Sequence, residues 1–406
     1  MNQQSAPGAT RRQFLVLGGV GALSVLAAAC GGGSAPSASP AQSSAAAKPA
    51  GSAPASAAAS AKPAASASAK PAASASAKPA ASVAASPKPA PSGLTTVKIT
   101  DIQITSAAGS YIADAKGYFR EEGIQAEFVR MGGGDQIPAI VSGTADVTGT
   151  AIAAALYNAF GRDLPLKMVA DHGANLKNAS AGGFVVRKDI MDSGKFTGPA
   201  SVKGWKVAEA VPDSTPDVAM DKWLKTGGLS LKDLNITYLG FPETLQALTN
   251  KAIDATYYQE PFTTIAVEQG VAARAVPAWD MYLNQQIAVV VFGPRMNNDK
   301  GLSQRYVRAY LRGVRDYVKG LIDKDRTKFD EVVPILIERT TVKQRELFDK
   351  AIPSGLRPDG MPNVQSIKDD LDYFIQKGSV KEKFDINKYF DLSFIEQANK
   401  DLGPYK

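Results

Sequence analysis

Beyond residue 94 the apolar residues fall into two alternating patterns. Short apolar runs and period-two alternation predict strands at 97–104, 125–130, 145–148 and 166–170. Helically spaced apolar positions between them predict helices at 111–116, from Asp135 to the stop at Gly143, and at 151–160, with a turn at 118–122. A strand at 182–187 (GGFVVR) leaves this first unit. The alternation then resumes: strands at 206–210 and 235–239, helices at 216–225 (stopped by Gly227) and 262–269, and an apolar strand at 287–292 (IAVVVF) that crosses back. Helices at 306–322, 328–338, 343–351 and 364–376 complete the chain. Strands alternating with helices predict an α/β fold with parallel sheets, and the length of the folded part allows two lobes.

The stretch 131–150, MGGGDQIPAIVSGTADVTGT, combines a glycine loop, a helix, a glycine stop and a buried strand. Gly132, Gly133 and Gly134 leave backbone N–H groups uncovered, and Asp135 can cap a helix with Pro138 in its first turn. Such an arrangement suits a small polar or anionic ligand, though an ordinary helix-to-strand connection has the same composition. Aligning Asp146 with Asp254 sets Asp135, Ile137, Ala139, Ile140 and Ser142 against Glu243, Leu245, Ala247, Leu248 and Asn250. The loop, helix and strand therefore recur about a hundred residues on, as expected of two similar lobes.

The start of the chain follows a different rule. Arg11 and Arg12 precede the uncharged run FLVLGGVGALSVLAAA, which ends at Cys30. Residues 1–30 are thus expected to be a lipoprotein signal peptide, with Leu26-Ala27-Ala28-Ala29-Cys30 resembling a lipobox and the paired arginines a twin-arginine signal. Cys30 is the single cysteine, so residues 31–406 have no disulfide, cysteine metal site or cysteine nucleophile, and lipidation accounts for it. Residues 31–93 are almost all Ala, Ser, Pro, Gly and Lys, with three copies of ASAKPAAS, and are expected to form a disordered linker. As a coil it would span on the order of 45 Å. The expected location is extracytoplasmic, anchored to the outer face of the cell membrane by lipidated Cys30.

Charge counting removes one partner class. The net +7 comes from Arg11, Arg12, Lys48, Lys62, Lys70, Lys78 and Lys88 in the first 94 residues, which contain no acidic side chain. The rest is formally neutral, with no basic stripe that would point to nucleic acid.

Several segments in order resemble the substrate-binding lipoproteins of ABC importers, in the group of nitrate, sulfonate and taurine binding proteins and thiamine-pyrimidine (NMT1/THI5-like) proteins. They are Tyr111-Ile112-Ala113, Lys116-Gly117-Tyr118-Phe119, Glu122-Gly123-Ile124, Gly132 to Gly134, Ser142-Gly143-Thr144-Ala145-Asp146-Val147, Glu260-Pro261-Phe262 and Asp391-Leu392-Ser393-Phe394-Ile395-Glu396. The resemblance implies a type II periplasmic-binding-protein-like clamshell: 94–187 as the first part of lobe 1, 188–283 as lobe 2, and 284–406 as crossover strand, return to lobe 1 and C-terminal helices. GGFVVR and IAVVVF would form the hinge. It also implies a small-molecule solute, an ABC permease and its ATPase as partners, a monomeric chain, and neither enzymatic activity nor a cofactor.

Ligand in such folds sits at strand carboxyl ends and helix N-termini. That rule nominates Ser106, Tyr111, Gly133, Gly134, Asp135, Thr148, Thr150 and His172 on lobe 1, and Asp213, Ser214, Thr215, Tyr257, Tyr258 and Glu260 on lobe 2. Hydroxyls, backbone N–H groups and aromatic faces suit a small polar, planar solute. Each nominee also has a structural reading. Asp135, Ser214 or Thr215 can serve as helix caps, Glu260 can be structural, and His172, the only histidine, can fill an ordinary core or surface place. Tyr257 and Tyr258 point to opposite sides of a strand, so at most one faces a cleft. Only Arg130 borders the nominated loops, which weighs against a strongly anionic ligand. The chain contains no HExxH, GxSxG, CxxC or phosphate-loop pattern. The pyrimidine-forming synthase among THI5-like proteins relies on a cysteine-rich motif missing here. A sensory or adaptor lipoprotein using the same clamshell is the main alternative, and an exported enzyme the weaker one.

Overall fold

A computed structural model describes residues 93–180 and 182–406. The expected signal peptide with Cys30, and the expected linker through residue 92, lie outside the described residues. Among the described residues the strands are β1 (Thr95–Asp101), β2 (Ile124–Arg130), β3 (Val147–Ala151), β4 (Lys167–Ala174), β5 (Gly182–Arg187), β6 (Lys206–Glu209), β7 (Asn235–Tyr238), β8 (Ala255–Gln259), β9 (Ala272–Pro277) and β10 (Gln286–Phe292). They form two five-stranded sheets, ordered β2-β1-β3-β10-β4 and β7-β6-β8-β5-β9.

The two sheets share one plan. β1 pairs parallel with β2 and β3, and β6 pairs parallel with β7 and β8. One reversed strand is inserted in each: β10 runs antiparallel to β3 and β4, and β5 antiparallel to β8 and β9. The sheets are therefore mixed rather than parallel throughout, because the chain arriving from the opposite lobe enters from the opposite end. This also corrects the expected hinge. GGFVVR is an interior strand of the second sheet, not the end of the first lobe, and IAVVVF is an interior strand of the first. The chain crosses between Ala174 and Gly182 and again between Pro277 and Gln286.

Side-chain alternation gives each sheet two buried faces. In β10, Val290 and Phe292 join one apolar cluster and Val289 and Val291 the other. Helices Ala108–Ala115 and Lys300–Tyr317 cover the first of these faces, and Ala154–Gly161 and Val364–Lys377 the second. In the second sheet, helix Thr215–Lys225 packs on one face through Met220, Trp223 and Leu224. Helices Phe241–Thr249 and Phe262–Glu268 pack on the other.

Helix Lys300–Tyr317 carries the largest share of the first lobe's core. Leu302, Tyr306, Tyr310, Val314 and Tyr317 recur three or four residues apart and are all buried. Asp299 caps it by accepting the Leu302 N–H at 2.8 Å. At about 1.5–3 kcal/mol per large buried side chain against roughly 1 kcal/mol for a cap, packing rather than capping holds this helix.

Several boundaries move from their expected places for local reasons. The first strand ends at Asp101, not 104, because Gln103 adopts φ 56° and its N–H donates to Asp101 Oδ1 at 2.8 Å. The helix expected at 111–116 begins at Ala108. The helix expected at 151–160 begins at Ala154, since β3 continues through Ala151. Among the described residues no helix is long and apolar enough to cross a membrane.

Candidate functional site

The sequence repeat corresponds to one device built twice. Asp146 accepts the Lys98 N–H at 2.8 Å and its own N–H donates to the Lys98 carbonyl at 2.8 Å. Asp254 does the same with Lys206, at 2.9 and 2.8 Å. Arg295 Nη1 donates to Asp146 Oδ2 at 2.8 Å, and Arg187 Nη1 to Asp254 Oδ1 at 3.4 Å. Each helix before these aspartates ends in a left-handed residue, Gly143 (φ 77°) or Lys251 (φ 60°). These aspartates staple strand starts together, at the opposite end of the strands from the loops where the lobes meet. At these two aspartates the repeat serves the fold.

On lobe 1 the nominated residues divide into three places. Gly133, Gly134 and Asp135 are exposed, and Asp135 makes no cap hydrogen bond. The capping expectation fails because Asp135 already lies inside a tight turn, its own N–H donating to the Gly132 carbonyl at 3.1 Å. The neighbouring Gln136 is buried instead, donating to Thr100 Oγ1 and the Gly149 carbonyl, both at 3.0 Å. Thr148 is buried against Thr100, oxygen to oxygen 2.6 Å, and Thr150 is also buried. His172 lies across the sheet's other face. A methyl group on Gly149 would sit 2.1 Å from His172 Nε2, so Thr148 and Thr150, one residue either side, point away from the imidazole.

His172 reads as a packed core histidine. Nδ1 is 3.4 Å from Tyr310 Oη, whose hydroxyl donates to the Asp171 carbonyl at 2.7 Å. Burial pulls its pKa down to about 4. Tyr111 is buried as well, its hydroxyl donating to Asp101, and burial pushes its phenol up. Ser106 is buried in the turn after β1.

On lobe 2, residues 213–215 meet lobe 1 directly. Ala153 and Ser214 form an isolated antiparallel bridge. The Ala154 N–H donates to the Asp213 carbonyl at 2.8 Å, and the Thr215 N–H to the Ile152 carbonyl at 3.2 Å. Ser214 holds the N-cap position but donates its hydroxyl to the Val211 carbonyl at 2.8 Å, with no cap bond. Asp213 accepts from Ser379 Oγ at 2.8 Å and faces Lys377 Nζ at 2.8 Å. Burial pushes its carboxyl up, but Lys377 and Ser379 prevail and its pKa is lowered.

The two tyrosines of β8 face opposite ways. Tyr258 is anchored in the apolar cluster beneath helices Phe241–Thr249 and Phe262–Glu268, donating to the Phe241 carbonyl at 2.6 Å. Tyr257 lies on the other face, beside Asn175 and Glu209, and burial raises its pKa. Glu260 accepts from Thr264 Oγ1 at 2.7 Å and pairs with Arg274 Nη2 at 2.6 Å. It borders a cavity of about 180 Å³ lined also by Ser180, Gly182, Phe184, Trp279 and Ile352.

A buried polar seam between the lobes escaped the sequence reading. Asn175 Nδ2 donates to Gln285 Oε1 at 3.1 Å; Gln285 Nε2 donates to the Thr215 carbonyl and to Asp370 Oδ2, both at 3.1 Å. Lys377 Nζ lies 2.6 Å from Asp217 Oδ2. Glu209, at the carboxyl end of β6, is 1% exposed. Burial, followed by the neighbouring Asp217, raises its pKa strongly. Burial likewise lifts Asp370 to about 8. The only advance signal was an acidic residue within the apolar run Val207-Ala208-Glu209-Ala210-Val211.

Two lobes of repeated topology, two crossovers and strand-end loops meeting at a seam define a type II periplasmic-binding-protein-like clamshell. The chain belongs to the family described as NMT1/THI5 like, whose profile matches residues 104–320. No curated protein matches it. Among solved structures it is similar to the periplasmic aliphatic sulphonate binding protein SsuA from Escherichia coli, at 18% identity and TM-score 0.58, covering 72% of this chain and 91% of that one. It is also similar to the periplasmic nitrate-binding protein NrtA from Synechocystis PCC 6803, at 18% identity and TM-score 0.63, covering 76% and 89%. The desulfurization enzyme DSZB shares the fold at 13% identity and TM-score 0.53, covering 76% and 99%.

Proposed function

We propose that this chain is an extracytoplasmic solute-binding lipoprotein, anchored through Cys30, that captures a small polar solute between its lobes and delivers it to the permease of an ABC importer. The observation that carries this reading is the seam itself. Loops from the strand ends of both lobes meet there through only a few backbone hydrogen bonds, while the chain crosses between the lobes twice. A solute touching both sides favours the closed arrangement by its differential contacts, which is what a binding protein needs in order to signal occupancy to a partner. Membership of the NMT1/THI5-like family and the likeness to solute-binding folds support the same reading.

The likeness to the desulfurization enzyme favours a catalytic alternative, against which stands the chemistry available. The folded part contains no cysteine and a single histidine, and that histidine is buried against Tyr310 and Gly149. The test is calorimetric titration of the full-length chain with small organic solutes, followed by recovery of the bound compound. A binding protein saturates and returns its ligand unchanged. Recovery of a chemically altered compound would overturn the reading, and binding with no interaction with a cognate permease would redirect it to sensing.

A further inference from the structure

Five buried oxygen atoms along the seam have no hydrogen-bond partner: both carboxylate oxygens of Glu209, and Oδ1 of Asn175, Asp217 and Asp370. All five are acceptors on carboxylate or amide groups, and each belongs to a residue no more than 1% exposed. Glu209 and Asp217 face each other and can share one proton, but one proton leaves the remaining buried acceptors unpaired, at a cost in free energy. The nearby ammonium does not supply the deficit, since Lys377 Nζ is already shared by Asp213 and Asp217. Arg274 is paired with Glu260 and Arg130 with Asp101, whereas Arg357, whose backbone N–H donates to Asp171, has a buried Nε without a partner. Among the described residues no cluster of three or more His, Cys, Asp or Glu is arranged to hold a metal ion.

These acceptors do not belong to one lobe. Glu209 ends β6, Asp217 lies on helix Thr215–Lys225, Asn175 lies on the first crossover and Asp370 on helix Val364–Lys377, which packs with lobe 1. β6 pairs with β8, and helix Val364–Lys377 packs on helix Thr215–Lys225, so these residues lie where several elements converge. A group bringing several N–H donors and a positive charge satisfies this set, whereas an anion meets like charge and still more acceptors. Resting on the solute-binding reading above, we propose that the solute of this clamshell is an organic cation, of the ammonium, guanidinium or amidinium class, received by Glu209 with Asn175 and Asp217.

The test uses the full-length chain and named probes. Benzamidine, guanidinium chloride and 1,4-diaminobutane are compared with sodium nitrate and sodium ethanesulfonate, at matched low-millimolar concentration and constant ionic strength, by calorimetry and thermal melting. At least one cation is expected to bind and raise the melting temperature, and neither anion. Glu209→Gln is expected to weaken cation binding at least tenfold while leaving the unliganded melting temperature unchanged or higher, and Glu209→Asp to retain the cation preference. The wild-type preference decides the matter even where a variant fails to fold. Binding of an anion instead of the cations sinks the proposal but leaves the solute-binding reading standing. Silence from all three cations, or equal cation binding by Glu209→Gln, overturns it and assigns the carboxylates a shared proton only. Chemical conversion of a bound probe would defeat the broader reading separately.

Discussion

Burial sets the acid limb of this protein's stability through His172. Its folded pKa of about 4 lies below the ordinary value of 6.5, so between those pH values the unfolded chain binds the extra proton. Stability present above pH 6.5 is therefore lost as pH falls toward 4. Denaturant titration at pH 7 and pH 4.5 should find the wild type losing about 2–3 kcal/mol more than His172→Gln. Equal losses would mean the imidazole is hydrated after all. Asp370 works in the opposite direction. Burial raises it to about 8, so the folded state keeps a proton that the unfolded chain releases above about 4, and stability falls as pH rises through that window. Asp370→Asn keeps an acceptor for Gln285 and puts a neutral amide where Oδ1 has no partner. It should gain on the order of 1–3 kcal/mol over the wild type at pH 8, and no difference at pH 4. The sequence located His172 after a buried strand but left its role open between ligand and core. Its environment depends on Gly149 and Tyr310, which lie 23 and 138 residues away, and no local pattern encodes that meeting.

At the scale of elements, two helices of the first lobe cross so closely that a side chain cannot be added between them. A methyl group on Gly313 would sit 2.0 Å from the Gly109 carbonyl oxygen, and one on Gly109 2.6 Å from Val314. Gly313→Ala should therefore push helix Lys300–Tyr317 off Ala108–Ala115 and cost about 1–3 kcal/mol or more, seen as a lower denaturation midpoint with unchanged slope. The helices themselves were legible, since Tyr306, Tyr310, Val314 and Tyr317 carry the helical period; their contact was not, because a glycine in a helix gives no sign of what approaches it. Strand β9 went unread for a related reason. AARAVP places an arginine in mid-strand, and that arginine makes sense only once Glu260 and Thr264 are beside it. GGFVVR and IAVVVF were recognised as strands, but their sheet membership follows from the crossover path, which short-range patterning does not fix.

The whole molecule turns on what holds the lobes together without a ligand, and Lys377 is a partly exposed member of that contact. It reaches from the end of helix Val364–Lys377 to Asp213 and Asp217 of lobe 2. Sequence proximity gave no hint of this, as 160 residues separate Lys377 from Asp217. Asp217 is completely buried, so Lys377→Met leaves an uncompensated carboxylate wherever the lobes remain shut. Opening rehydrates it, and the penalty therefore falls on the closed arrangement alone. Lys377 is one-third exposed, which reduces the pair's worth below that of a fully desolvated bridge, to on the order of 1–3 kcal/mol. That shift multiplies the open fraction about 5- to 150-fold. Hydrogen exchange reads it directly, because the N–H groups of Ala154 and Thr215 donate across the seam. In Lys377→Met these two amides should exchange faster by that factor, while amides within β10 keep wild-type protection. Acceleration confined to the seam separates lobe opening from general destabilisation, which would speed both sets together. Unchanged exchange at Ala154 and Thr215 would mean that the apolar contact of Val218 with the first lobe's cluster, rather than the lysine, keeps the clamshell shut.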